Sequence, residues 1–70
     1  MKPGEAILLA AKKQAEGDIE VHKANITVYQ TMPAGIGEHS DVTEAVIAEL
    51  DKMAAAEDRI EVLKKYFEVE

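Results

Sequence analysis

Three polar side chains in the first half of the chain have the types and spacing that metal binding requires. Asp18, His22 and Asn25 follow one another at steps of four and three residues, so an α-helix would place them on one side. A carboxylate and an imidazole one turn apart can share a metal ion, and a symmetric pair of chains would supply a second set of ligands. Asp18 and His22 are therefore candidate metal ligands.

A structural role is the alternative for these three residues, and we favour it. Helical bundles that bind two metal ions use the pattern Glu-x-x-His, but residue 19, three before His22, is isoleucine. An isolated polar residue in an apolar helical seam can instead fix the register between helices. We interpret Asp18, His22 and Asn25 as such a register-setting polar notch.

A second group with chemical potential occupies residues 38–41, between two helix-forming stretches. It contains the residue types of a hydrolytic triad, but neighbours in sequence do not have triad geometry. Gly35 and Gly37 would let an anion approach the start of the following helix. Binding of a metal ion by His39, or of an anion by the loop Gly35–Asp41, therefore stays as an alternative. Turn and capping chemistry accounts for the same residues, so we assign no catalytic residue, no cofactor and no cofactor-binding residue.

Two apolar residues in the same loop, Met32 and Ile36, permit two interpretations. They could form a lid over the open end of the helices, which we favour because apolar side chains need cover from water. They could instead form a docking knob for a partner, together with Gly35, Gly37 and His39.

Two long helices are predicted to position these residues, because apolar or small side chains recur at steps of three and four. The first stripe is Leu8, Ala11, Ala15, Ile19, His22, Ile26 and Tyr29, and the second is Val46, Leu50, Met53, Ala56, Ile60, Leu63 and Phe67. Glu49 and Arg59 are assigned to the opposite, solvated face of the second helix. We expect the aromatic side chains to plug the ends of the core.

The predicted bounds are a helix at about 4–31, a loop at 32–40 and a helix at about 41–67. Gly17 lies inside the first helix, and the step from Ala15 to Ile19 keeps the stripe in phase across it, so one helix is predicted. Close approach of another backbone and a tolerated weak point are equally weighted reasons for Gly17. Pro33 ends the first helix, and Ser40 or Asp41 is expected to cap the second.

The predicted fold is all-α, a two-helix antiparallel hairpin in a single domain of 70 residues. A chain this short supplies a core of only about 3–5 kcal/mol, and disulfides are excluded because there is no cysteine. Further apolar residues widen both stripes beyond one seam; they are Ile7, Val21, Val28, Val42, Ile47 and Val62. We therefore expect two hairpins to dimerise into a four-helix bundle.

The net charge of the chain argues against two classes of partner, nucleic acids and anionic membranes. The chain has 14 acidic and 8 basic residues and a formal net charge of −6, which would repel nucleic-acid phosphates. It also suits an anionic membrane surface poorly. No apolar run is long enough to span a bilayer, so we expect a soluble, cytoplasmic protein that binds neither nucleic acid nor membrane.

The chain also resembles a family of short helical proteins. The resemblance is carried by residues 12–20 (KKQAEGDIE), 22–26 (HKANI) and 28–29 (VY), by Gly35–His39 (GIGEH) with Asp41, and by Glu49-Leu50-Asp51-Lys52. These residues are similar to proteins of tailed phages of marine cyanobacteria and marine metagenomes. The resemblance covers about residues 11–67, and the family has no assigned activity. It implies a phage-encoded protein in the host cytoplasm, with association with the virion left open, and adds no catalytic residue.

These observations favour a non-enzymatic phage accessory or assembly protein that acts through protein–protein contacts. Its expected partners are a second copy of itself and a phage or host protein. The alternative is a small metal- or anion-binding helical protein that uses His22 and Asp18, or the loop Gly35–Asp41.

Overall fold

The structure, a computed structural model, describes residues 2–31 and 39–70, and the side chains of 39–41 are outside the description. Helix α1 spans Pro3–Thr31 and helix α2 spans His39–Phe67, each with 29 residues. The described residues contain no strand, and the two helices pack against each other. The predicted all-α hairpin is therefore confirmed, as a rod of 50 × 17 × 13 Å.

The two helices run antiparallel, as their side-chain contacts show. Asp18 in α1 contacts Arg59 in α2, whereas His22, one turn further along α1, contacts Glu49. A later residue of α1 thus meets an earlier residue of α2.

The N-terminus of α1 and the C-terminus of α2 are each marked by local features of the chain. Pro3 is the first residue of α1, where its missing N–H costs nothing. Glu5 Oε2 accepts from the backbone N–H of Lys2 at 3.3 Å, as the third residue of a helix does in a capping box. At the other terminus Glu68 adopts a positive φ of 57°, and the N–H of Val69 donates back to the C=O of Leu63 at 3.2 Å. Such a left-handed residue ends α2.

Helix α2 begins two residues before its predicted start. The backbone of Ser40 and Asp41 therefore lies in its first turn, and not at the position before the helix where the cap was expected. Acidic residues are favoured in the first turn of a helix as well as at its cap, so an aspartate does not by itself distinguish the cap from the first turn.

Helix α1 continues through Gly17, as predicted. A methyl group built at Gly17 would meet no atom within 4 Å, so the hairpin itself contains no close approach that demands glycine there. Within one chain Gly17 is a tolerated weak point, at about 1 kcal/mol relative to alanine.

The seam between the helices follows a strict heptad, with steps of four and three in alternation. In α2 the partly or fully buried residues at this period are Val42, Val46, Glu49, Met53, Ala56, Ile60 and Leu63. In α1 they are Leu8, Lys12, Ala15, Ile19, His22, Ile26 and Tyr29.

This period corrects the predicted stripes. Leu50 is 50% exposed and Phe67 is 55% exposed, while Glu49 is among the most buried residues. Ala11 is also exposed, and Lys12 takes its place at the edge of the seam. Tyr66 is exposed as well, so within the hairpin Tyr66 and Phe67 do not plug the core.

Two alanines are the most completely buried residues of the seam. Ala15 lies one heptad before His22, and Ala56 lies one heptad after Glu49, so the antiparallel register that joins His22 to Glu49 sets the alanines opposite each other. They are 1% and 0% exposed. Small side chains at both positions let the helices approach closely.

Candidate functional site

The residues with chemical potential meet at one place, where α1 hydrogen-bonds to a carboxylate of α2. Glu49 Oε1 is 2.7 Å from His22 Nδ1 and 2.8 Å from Asn25 Nδ2. An ionised carboxylate only accepts hydrogen bonds, so His22 donates from Nδ1 and Asn25 from its amide. We call these three residues the Glu49 cluster.

The cluster is largely screened from water by the helices. The side chains of Glu49 and His22 are 12% and 18% exposed, while Asn25 lies at the exposed edge. A carboxylate in a helical seam is tolerated only where donors meet it, and α1 supplies two. Among the described residues, no buried side-chain nitrogen or oxygen lacks a hydrogen-bond partner.

The two donors also set the acidity of the carboxyl. The hydrogen bond from Asn25, and after it the one from His22, lower the pKa of Glu49 below its ordinary value of 4.5, while partial burial opposes them. The charges of His22 and Lys52 lower this pKa further. Glu49 is therefore a stable anion at neutral pH, which suits a positional role better than proton transfer.

Asp18, the third residue of the predicted notch, has a separate partner. Its Oδ2 accepts from Arg59 Nη2 at 3.1 Å, with side chains 39% and 57% exposed. An exposed pair of this kind contributes little stability, between about 0 and 1 kcal/mol. All three predicted notch residues thus contact α2. His22 and Asn25 do so through the carboxylate of Glu49 on α2, whereas Asp18 does so through its own carboxylate on α1.

The structure shows where two of the candidate metal ligands, His22 and Asp18, lie. Among residues 2–31 and 42–70, no group of three or more His, Asp or Glu side chains is arranged to hold a metal ion. His22 and Asp18 each contact a residue of α2. Met32, Gly35, Ile36 and Gly37, predicted to form a docking loop or lid, lie outside the described residues, as does the side chain of His39.

Glu49 is the member of the cluster that sequence reasoning assigns to solvent. Steps of three and four permit either Glu49 or Leu50 between Val46 and Met53, and the apolar residue is the natural choice. A strict alternation counted back from Leu63 through Ala56 selects Glu49. The signal was therefore present in the order of the steps.

The depressed pKa predicts how acid acts on the fold. Because the folded pKa of Glu49 lies below the unfolded one, the unfolded chain binds its proton first as pH falls. The stabilisation from this carboxylate is complete above pH 4.5 and is lost on acidification through the folded pKa. We expect wild type to lose more stability than Glu49→Gln between neutral pH and about pH 3, measured by thermal unfolding followed by circular dichroism.

A matched control for that titration removes an exposed carboxylate from the same helix. Glu57 lies on the solvated side of α2, so Glu57→Gln should keep the acid response of wild type. Parallel curves for wild type and Glu49→Gln at every pH would contradict the role assigned to the Glu49 cluster.

Neither described helix has the length and apolar character that a membrane span requires.

Comparisons with known proteins complete the description of the site. Searches against protein-family models, curated protein sequences and solved structures give no match for this chain.

Proposed function

We propose that this protein is a non-enzymatic helical hairpin that works through protein–protein contacts and associates with a second copy into a four-helix bundle. The observation that carries the proposal is the small apolar core of the hairpin. Among the described residues the buried hydrophobic side chains are Ala15, Ala56 and Leu63.

A core of two alanines and one leucine is too small for a stable domain. Full burial of a large aliphatic side chain contributes about 1.5–3 kcal/mol, whereas ordering each residue costs about 1–2 kcal/mol. In the part of the chain that the structure describes, eight large apolar side chains remain between 46% and 71% exposed. Covering them with another protein surface would supply the missing burial.

The chemistry of the Glu49 cluster supports a non-enzymatic role. Glu49 Oε1 accepts hydrogen bonds from both His22 and Asn25 across the two helices, which is what a register device requires. A hydrophobic partner surface and a fixed helical register together describe an assembly or accessory protein. On the sequence resemblance, we propose that it is encoded by a tailed phage and acts in the host cytoplasm.

Sedimentation equilibrium of the purified chain tests the proposal, with helicity measured at each concentration. We expect a mass of twice 7.7 kDa in the micromolar range and a melting temperature that rises with concentration, because association stabilises the folded chain by mass action. A folded monomer whose melting temperature is independent of concentration would overturn self-association.

A further inference from the structure

We infer that one particular face of the hairpin binds the second copy. This face, which we call the valine face, includes the large apolar side chains of Ile7, Val21 and Val28 in α1 and of Val62 in α2. The inference rests on the proposed self-association and adds the surface through which it occurs.

The heptad register places these four side chains on one side of the hairpin. Ile7, Val21 and Val28 are separated by multiples of seven residues, so they form one line along α1. Val21 follows Asp18 by three residues, and Val62 follows Arg59 by three, which makes each valine the neighbour of one partner in that ion pair. Since Asp18 and Arg59 bridge the two helices, the lines on α1 and α2 border the same side of the seam.

Small residues also contribute to the valine face. Ala11 in α1 and Ala48 and Ala55 in α2 lie on it and are exposed, together with Gln14 on the line of Val21 and Tyr66 seven residues after Arg59. Alanine lets another helix approach closely, as the Ala15–Ala56 layer does inside the hairpin.

The opposite side of the hairpin is an acidic groove. Its lining residues are Glu16, Ile19, Glu20, Glu57, Ile60, Glu61, Lys64 and Lys65. Glu16 has a partner in Lys13, whose Nζ lies 3.7 Å from Glu16 Oε1. Two copies joined through this groove would still bring together the three other carboxylates of each chain against two ammonium groups from each. Like charges at close range destabilise an interface by several kcal/mol.

The valine face carries a much better balance of charge. Asp18 and Arg59 already neutralise each other, and Lys52 is the one further charged side chain on that side within the part of the chain whose side chains are described. For a chain with a net charge of −6, this face is therefore the one that a second copy can meet without strong repulsion. That balance is why we commit to a second copy as the occupant.

The available area also fits a dimer. The chain exposes 5304 Å², whereas a compact monomer of this mass exposes about 4300 Å². The difference, about 1000 Å², is close to the roughly 800 Å² that each partner buries in a standard interface. A helix of 29 residues is about 44 Å long, so one face of the rod is large enough.

Two matched charge substitutions test the assignment. Val21 is 56% exposed on the valine face, and Ile47 is 51% exposed on the opposite side of the hairpin, so the hairpin itself tolerates a carboxylate at either position. We expect Val21→Asp to weaken dimerisation at least about 100-fold, a loss of roughly 2.7 kcal/mol, and Ile47→Asp to remain a dimer in sedimentation equilibrium. If wild type and Val21→Asp are both dimers, the valine face is overturned but self-association stands. If wild type is a monomer, both are overturned.

Thiol labelling decides the question if Val21→Asp fails to fold. The chain has no cysteine, so Val62→Cys and Ile47→Cys each introduce a single reactive thiol on one side of the hairpin. We expect labelling of Val62→Cys to slow at least tenfold when the protein concentration is raised into the dimeric range, with Ile47→Cys unchanged. Equal protection of both thiols, or protection of Ile47→Cys alone, would contradict the valine face.

Discussion

Ala56→Asp is expected to unfold the hairpin. Ala56 is 0% exposed, and the heptad register sets it opposite Ala15, so the introduced carboxylate would be buried in the layer between the helices. Removing an unpaired charge from water costs more than the about 3–5 kcal/mol that a core of this size supplies. The helical signal at 222 nm should fall to that of a largely unfolded chain at 25 °C.

A neighbouring substitution controls for the helix propensity and charge of aspartate. Ala54, two residues earlier in the same helix, is exposed, and Ala54→Asp adds an identical side chain to the same alanine run. We expect Ala54→Asp to keep its helicity and to melt cooperatively. If the two variants lost helicity to the same extent, the tight layer between Ala15 and Ala56 would be refuted.

The helices themselves could be predicted because each is specified by local sequence. A mostly apolar period, together with Pro3 at the start of α1, marks the first helix, and the phase that continues across Gly17 predicts that the helix does not break there. Only short-range preferences enter these predictions, and they agree with the packed structure.

The candidate site could be predicted only from one side. Asp18, His22 and Asn25 interrupt an apolar stripe, which identifies them as unusual and suggests contacts across the seam. Their partners, Glu49 and Arg59, are ordinary charged residues of a helix that comes later in the sequence. Burial of Glu49 depends on donors 24 and 27 residues earlier in the chain. The order of steps along α2 allows Glu49 in the seam, but it does not identify those donors.

The error at Leu50 has the same origin. A stripe followed by steps of three and four accepts any apolar residue within reach, and Leu50 satisfies that rule. Two packed helices impose a stricter period of 3.5 residues, because their seam must stay in contact along the whole rod. The seam therefore takes Glu49 and leaves Leu50 half exposed. Tertiary contacts, in this case two hydrogen bonds, outweigh hydrophobicity at a single position.

Two leucines of α2 allow this stricter period to be measured directly. Both belong to the stripe predicted from sequence, yet Leu63 is 8% exposed and Leu50 is 50% exposed. Leu63→Ala should lower the free energy of unfolding by about 2–5 kcal/mol, since it removes a buried isobutyl group and leaves a cavity. Leu50→Ala should cost less than about 1 kcal/mol, because water already covers half of the side chain.

Urea unfolding of both variants at one fixed protein concentration would compare them, because association makes stability depend on concentration. The pair is well matched, since each variant replaces leucine by alanine within the same helix, and Leu50 lies away from the valine face. A larger loss of unfolding free energy for Leu50→Ala than for Leu63→Ala would support the 3.6-residue stripe, in which Leu50 and not Glu49 lies in the seam. The opposite order would support the 3.5-residue period, and with it the register that joins His22 to Glu49 and places Val21 and Val62 on one face.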